Sequence, residues 1–297
     1  MSNRYILTIA ALGRFPELKV DKDRYERLKA SKPILSHALA IEEKYEILIS
    51  NFQELERDAI NISVSEMVRN HIEYKDFFDV QLTLNIRLVN LLTAIRLYTD
   101  QLSSHICACL SSKDDTKAEI KKLFATEYDS SFDYRFMEAL RNYVQHSGIP
   151  VHKISTGGEW TDINDGLLEY SIYFGTKREK LLLDDGFKKQ VLEEMPEEVN
   201  LRSASRSYVE AISRIHKHAR EMLDKVVKSS RLEIERAIQD YTEAYKEEPL
   251  GLYAYEYHGK QKIDEVSILL KWDDIRQELV RRNSELIKLR KRYVTSE

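Results

Sequence analysis

SSFDYRFMEALRNYVQHSGIP, residues 130–150, carries its apolar side chains at helical spacing. Phe132, Phe136, Ala139, Leu140 and Tyr143 recur at steps of three and four, the signature of one buried helix face. Asp129, Ser130 or Ser131 can cap the start, and Gly148 followed by Pro150 gives a sharp stop. The last turns carry three polar side chains that can handle a phosphate: Arg141, Asn142 and His146. The carboxyl end of a helix is partly negative, which suits a cationic side chain. Histidine can both give and take a proton near neutral pH. An Arg beside such a His is a device for cleaving an RNA phosphodiester; a helix that merely ends in His is the plain alternative.

RNYVQH, set in ALRNYVQHSGIP, resembles the Arg-polar-x-x-x-His motif of HEPN domains, all-helical modules of bacterial toxins, phage-defence proteins and RNA-processing nucleases. The resemblance covers roughly residues 34 to 147. It implies that Arg141 holds the scissile phosphate, that His146 is the general acid/base, and that Asn142 orients one of them. It also implies metal-independent cleavage with no cofactor, in a composite cleft formed by two protomers. Residues five apart on a regular helix lie about 140° apart. Arg141 and His146 therefore share a phosphate only if the helix unwinds at its end or a second protomer completes the site. A homodimer is expected.

The chain has 297 residues, 32% charged and 42% hydrophobic, with nine Gly and five Pro, a composition of mostly helical protein. A formal net charge of −4 excludes a broadly basic coat for nucleic acid and leaves room for a local basic site. Cys107 and Cys109 are two apart in a helical segment, so they face different ways and read as buried thiols. No apolar run approaches the roughly 18 residues of a membrane span, and the cytoplasm is the expected location. The sequence has no GxxxxGK[ST], GxGxxG, CxxC or HExxH, so no nucleotide, dinucleotide or zinc site is expected.

Outward from the motif, Ile41, Tyr45, Leu48, Phe52, Leu55, Ala59 and Ile62 form one apolar seam, on a helical region expected to start near Pro33. A break is expected within 63–75. Leu84, Leu88, Leu91, Ile95, Tyr98 and Leu102 form a second seam, bordered by Asn85, Arg87, Asn90 and Asp100. Polar groups beside a seam need partners when buried. Arg87 and Asn90, with Tyr143, are candidate substrate-binding residues of the motif's groove. Residues 151–156 and 167–175 read as a hairpin, with His152 on an exposed face. A helix over 187–248 is expected to lose register near Ser229 and Ser230, and its His216 and His218 are too close to share one metal. A second hairpin turns at His258-Gly259-Lys260. It is expected to join the first hairpin, and the strand expected within 4–15, in one sheet. A final helix, Asp273 to Tyr293, ends in the basic run KLRKRY.

The expected fold is mainly α: a HEPN-like helical bundle with long antiparallel helices, plus a smaller α+β region with β-hairpins. Residues 1–32 form an N-terminal strand and connection, 33–148 the bundle, and 149–297 the α+β region. The function that the resemblance implies is metal-independent RNA cleavage, in a toxin or phage-defence protein of the kind that an antitoxin or sensor partner can restrain. The alternative is a non-catalytic helical scaffold that binds RNA or protein.

Overall fold

A computed structural model describes residues 3–69, 73–110, 112–164, 166–246 and 249–295. The chain is mainly helical, with two small antiparallel sheets. Three long helices dominate: α1 (Lys22–Val68), α2 (Tyr74–Cys109) and α7 (Leu201–Tyr245). Between α2 and α7 come α3 (Lys113–Ser130), α4 (Phe132–His146), β3 (Lys153–Trp160), β4 (Leu168–Lys177), α5 (Arg178–Leu181), α6 (Lys189–Glu194) and β5 (Glu198–Asn200). The ends supply β1 (Asn3–Ile9), β2 (Leu18–Val20), β6 (Leu252–His258), β7 (Gln261–Ser267) and α8 (Lys271–Arg282). The break expected within 63–75 falls after Val68; its residues 70–72 lie outside the described residues, as does Ser111 of the polar connection before α3.

The chain divides into two compact units, each assembled from three separate segments. Unit one holds residues 1–43, 101–118 and 218–284; unit two holds 44–100, 119–217 and 285–297. In unit one, the early turns of α1 run antiparallel to α7, since Arg24 bonds Asp240, Arg27 bonds Glu233 and Glu42 accepts from Arg220. In unit two the same sense holds: Tyr45 stacks on His216, and Glu56 accepts from both Arg202 and Arg206. The seams read from the sequence are core: Ile41 through Ala59 on α1 and Leu84 through Leu102 on α2 are buried.

Pro33 does not start α1. The helix begins eleven residues earlier, where the Asp21 carboxylate accepts from the Arg24 N–H at 2.7 Å as an N-cap. An interior proline costs about 3 kcal/mol, and the full burial of Tyr25, Leu28 and Leu35 around it offsets that cost. Nor does α7 break near Ser229. Along one face its buried positions run 208, 212, 215, 219, 223, 227, 230, 234, 237, 241. Three consecutive steps of four around Ala219 hold the average near 3.6, the period of a straight helix. Leu223 and Val227 are buried there, while Met222 and Val226 are only half-buried.

Sheet assignment matches expectation for the N-terminal strand and the second hairpin, and differs for the first. In unit one β1 pairs with both β2 and β6, giving the order β2-β1-β6-β7. In unit two the first hairpin pairs instead with β5, in the order β3-β4-β5. The final helix stops at Arg282, eleven residues before Tyr293. From Glu285 on, the chain is held in unit two by side chains of α7: Ser213 accepts from the Leu286 N–H and Glu210 from the Leu289 N–H. Among the described residues no helix is long and apolar enough to cross a membrane.

Candidate active site

Both ends of α4, in unit two, are fixed. Ser131 caps it, its hydroxyl accepting from the Tyr134 N–H at 3.2 Å. Tyr134, Phe136, Met137, Ala139 and Leu140 are buried, and the Tyr134 ring meets Tyr208 edge-on at 5.0 Å. At the carboxyl end the N–H groups of Ser147 and Gly148 both donate to the Tyr143 carbonyl, at 2.8 and 3.1 Å. Glycine is needed at 148 for close approach: a Cβ there would lie 2.7 Å from Tyr143 Cζ. The Tyr143 ring has little freedom to yield, with His152 and Phe187 each edge-on at 6.1 Å. Beyond the stop, Val151 is fully buried and pinned from α2. Its N–H donates to Asn85 Oδ1 at 2.9 Å, and its carbonyl accepts from Gln81 Nε2 at 2.8 Å.

The three motif side chains have unlike surroundings. The Arg141 side chain is 13% exposed. Its Nη1 donates to Gln145 Oε1 at 3.2 Å, its Nη2 lies 3.8 Å from Glu138 Oε2, and its Nε is buried without a partner. The other Glu138 oxygen accepts from the Tyr208 hydroxyl. Burial, reinforced by the Glu138 charge, raises the Tyr208 phenol well above its ordinary range, so it remains a donor. Glu138 is thus fixed between Tyr208 and Arg141. Asn142 and His146 are exposed, and their side chains make no hydrogen bond among the described residues. The helix stays regular through His146, so the arginine and histidine of one chain diverge.

Two clefts flank α4. One, about 510 Å³, opens at its carboxyl end between Tyr143, Ser147, His152, Lys180 and Asp184. The other, about 390 Å³, lies on the Glu138 side, with Arg96, Lys121, Tyr128 and Tyr134. Arg141, Asn142 and His146 line neither; Tyr143 lines the first. His152 is half-buried instead of standing on an exposed face, because the chain between α4 and β3 folds it inward. Its Nδ1 accepts from the Lys177 N–H at 3.3 Å, and burial pushes its pKa below the usual histidine range. It is a neutral wall of the cleft.

Arg87 stitches α2 to α1: its Nε donates to Asp58 at 2.6 Å, and its Nη2 lies 3.5 Å from Glu54. Asn90 is exposed. Among the described residues no hydrogen bond or ion pair ties either of them to α4. His216 is a core residue, stacked on Tyr45 at 3.7 Å with Nδ1 2.9 Å from the Tyr98 hydroxyl. The sequence had shown Asn85 beside a seam without showing what it would hold. Glu138 and Gln145, three before and four after Arg141, were legible as helical neighbours; Tyr208, seventy residues away, was not. No family model matches the chain, and no curated protein or solved structure matches it either.

Proposed function

We propose that the chain is a HEPN-like endoribonuclease that cuts RNA without a metal or cofactor, acting as a cytoplasmic homodimer. The observation that carries this reading is His146: an exposed, unbonded imidazole ending a helix fixed at both ends, five residues after an anchored arginine. His146 takes the proton of a ribose 2′-hydroxyl. The 2′-oxygen attacks phosphorus, and the 5′-oxygen leaves with a proton drawn from water, giving a 2′,3′-cyclic phosphate and a 5′-hydroxyl; His146 then returns its proton to solvent. Arg141 of the second protomer neutralises the phosphate, with Asn142 orienting it. An apolar ladder on α2, Tyr74, Phe78, Leu82 and Ile86, is exposed one position along from Gln81 and Asn85, beside the exit of α4. A second copy covering that ladder would bring its own α4 close. A toxin or phage-defence role, restrained by an antitoxin or sensor partner, extends the same reading.

Cleavage in EDTA by the wild-type chain, lost in both Arg141→Ala and His146→Ala, is the expected result. Mixing the two inactive variants separates a composite site from a single-chain one. A heterodimer contains one intact Arg–His pair, so about half its sites should recover. The engagement of Arg141 by Glu138 and Gln145 favours a second reading, a non-catalytic scaffold that binds RNA or protein. RNA binding retained by both variants with no cleavage by any form would select it.

A further inference from the structure

In unit one, α1, α7 and α8 enclose a cleft of about 370 Å³, far in sequence from the Arg–His motif. Its apolar wall is Ala38, Ile41, Ala219, Leu223, Val227 and Val280. The space exists because Ala38 and Ala219 put a single side-chain carbon where larger residues would fill it. The volume is toward the small end of ligand sites, roughly 300–1,000 Å³, room for one short chain.

The polar groups of the cleft give its occupant a sign. The acceptors are engaged: Glu42 takes two hydrogen bonds from Arg220, at 2.9 and 2.6 Å, and Asp224 takes one from Lys228 at 2.9 Å. The donors are not exhausted. A guanidinium has five N–H groups. Arg220 uses three of them, on Glu42 and the Asn283 carbonyl, and Arg231 uses three, on Glu235, Asp273 and Asp274. Arg276, itself only 9% exposed, uses two, both on Asp273, and its Nη1 has no acceptor among the described residues. Arg281, one turn beyond Gln277 on the same face of α8, also has no partner among them. Five cationic side chains line the cleft, Arg220, Lys228, Arg231, Arg276 and Arg281, against two carboxylates, Glu42 and Asp224, so an anion is favoured over a cation. A hydrocarbon would cover the free Arg276 N–H groups without answering them.

We propose that this cleft binds a small anionic amphiphile, a medium-chain aliphatic carboxylate. The chain lies against Leu223, Val227 and Val280, and the carboxylate takes hydrogen bonds from Arg276 and Arg281. The site is independent of the nuclease reading and stands if that reading fails.

The test is calorimetric titration of the full chain with decanoate, decanol and decylamine at neutral pH and low salt. Decanoate should bind saturably, decanol at least tenfold more weakly, and decylamine not at all. Arg281→Gln removes one charged donor from an exposed position and should weaken decanoate about tenfold. Val280→Trp fills the trough and should abolish binding while circular dichroism reports an unchanged fold. If that variant does not fold, Gln277→Trp obstructs the same face. Decanol or decylamine binding as tightly as decanoate, an unaffected tryptophan variant, or no saturable decanoate binding would each overturn the proposal.

Discussion

Replacing Asn85 by Ala tests how the exit of the motif helix is held. Asn85 is 4% exposed, and its Oδ1 is the acceptor for the Val151 N–H, a group on a residue with no exposure at all. Alanine leaves that N–H buried and unanswered, at a cost of about 1–3 kcal/mol. With about 2 kcal/mol removed from the local opening free energy, exchange of the Val151 amide should accelerate roughly thirtyfold. Hydrogen exchange followed by NMR reads this amide directly. The adjacent His152 amide, bonded to the Gly175 carbonyl at 2.9 Å, provides a reference that does not depend on Asn85. Gln81→Ala should cost less, about 0.5–1 kcal/mol, because Gln81 is half-buried and water can reach the freed carbonyl. Val151 exchange within threefold of wild type in Asn85→Ala would refute the idea that α2 pins the exit of α4.

Two further outcomes follow from the ion pairs of unit two. Burial raises the Glu56 pKa, but hydrogen bonds from Arg206 and Arg202 together outweigh it and leave the carboxyl below its ordinary 4.5. Its stabilisation is therefore fully present above about pH 4.5 and is lost as pH falls through the folded value. Urea unfolding should show Glu56→Gln about 2 kcal/mol less stable than wild type at pH 7, and the gap should close in acid; a gap constant from pH 7 to 3 would contradict the assignment. Arg87→Ala should lose about 1 kcal/mol, since the pair with Asp58 is partly exposed and screened, and RNA cleavage should be unchanged. A tenfold fall in cleavage with the fold intact would restore Arg87 to the substrate groove.

Local signals were the readable ones. α4 was legible in its extent and in the Phe136, Ala139 and Leu140 part of its face, because its capping serines, that face and Gly148 lie within one short stretch and act on their neighbours; the burial of Tyr134 and Met137 was not. Where a local signal opposed distant packing, packing won: Pro33 suggested a helix start, yet Asp21 caps α1 and the buried Tyr25 and Leu28 carry it through. The strand patterns grouped β1 with the second hairpin, and β1 does pair with β6, but nothing in their residues showed that the first hairpin would pair with β5 in a separate sheet. The three-residue β2 and β5 are too short to show alternation at all. At the site, the sequence showed which residues are chemically able, and the structure showed that Glu138 and Tyr208 fix the arginine while the histidine stays open.

The pairing of β1 with β6 also sets a timetable for synthesis. At roughly 5–20 residues per second, the 243 residues from Ile9 to Leu252 (252 − 9) take about 12–50 s to emerge. For that interval Ile6 and Leu7, at most 1% exposed once the sheet is made, have no strand β6 to lie against. Until Leu252 emerges, β1 can pair only with the three-residue β2, and its other edge stays open, the kind of edge that chaperones cover and that aggregates when they are scarce. Unit two is likewise closed late, by the Leu286 and Leu289 contacts, long after its Arg–His motif has left the ribosome. That order delays the closing of unit two until residues 286 and 289 have been made.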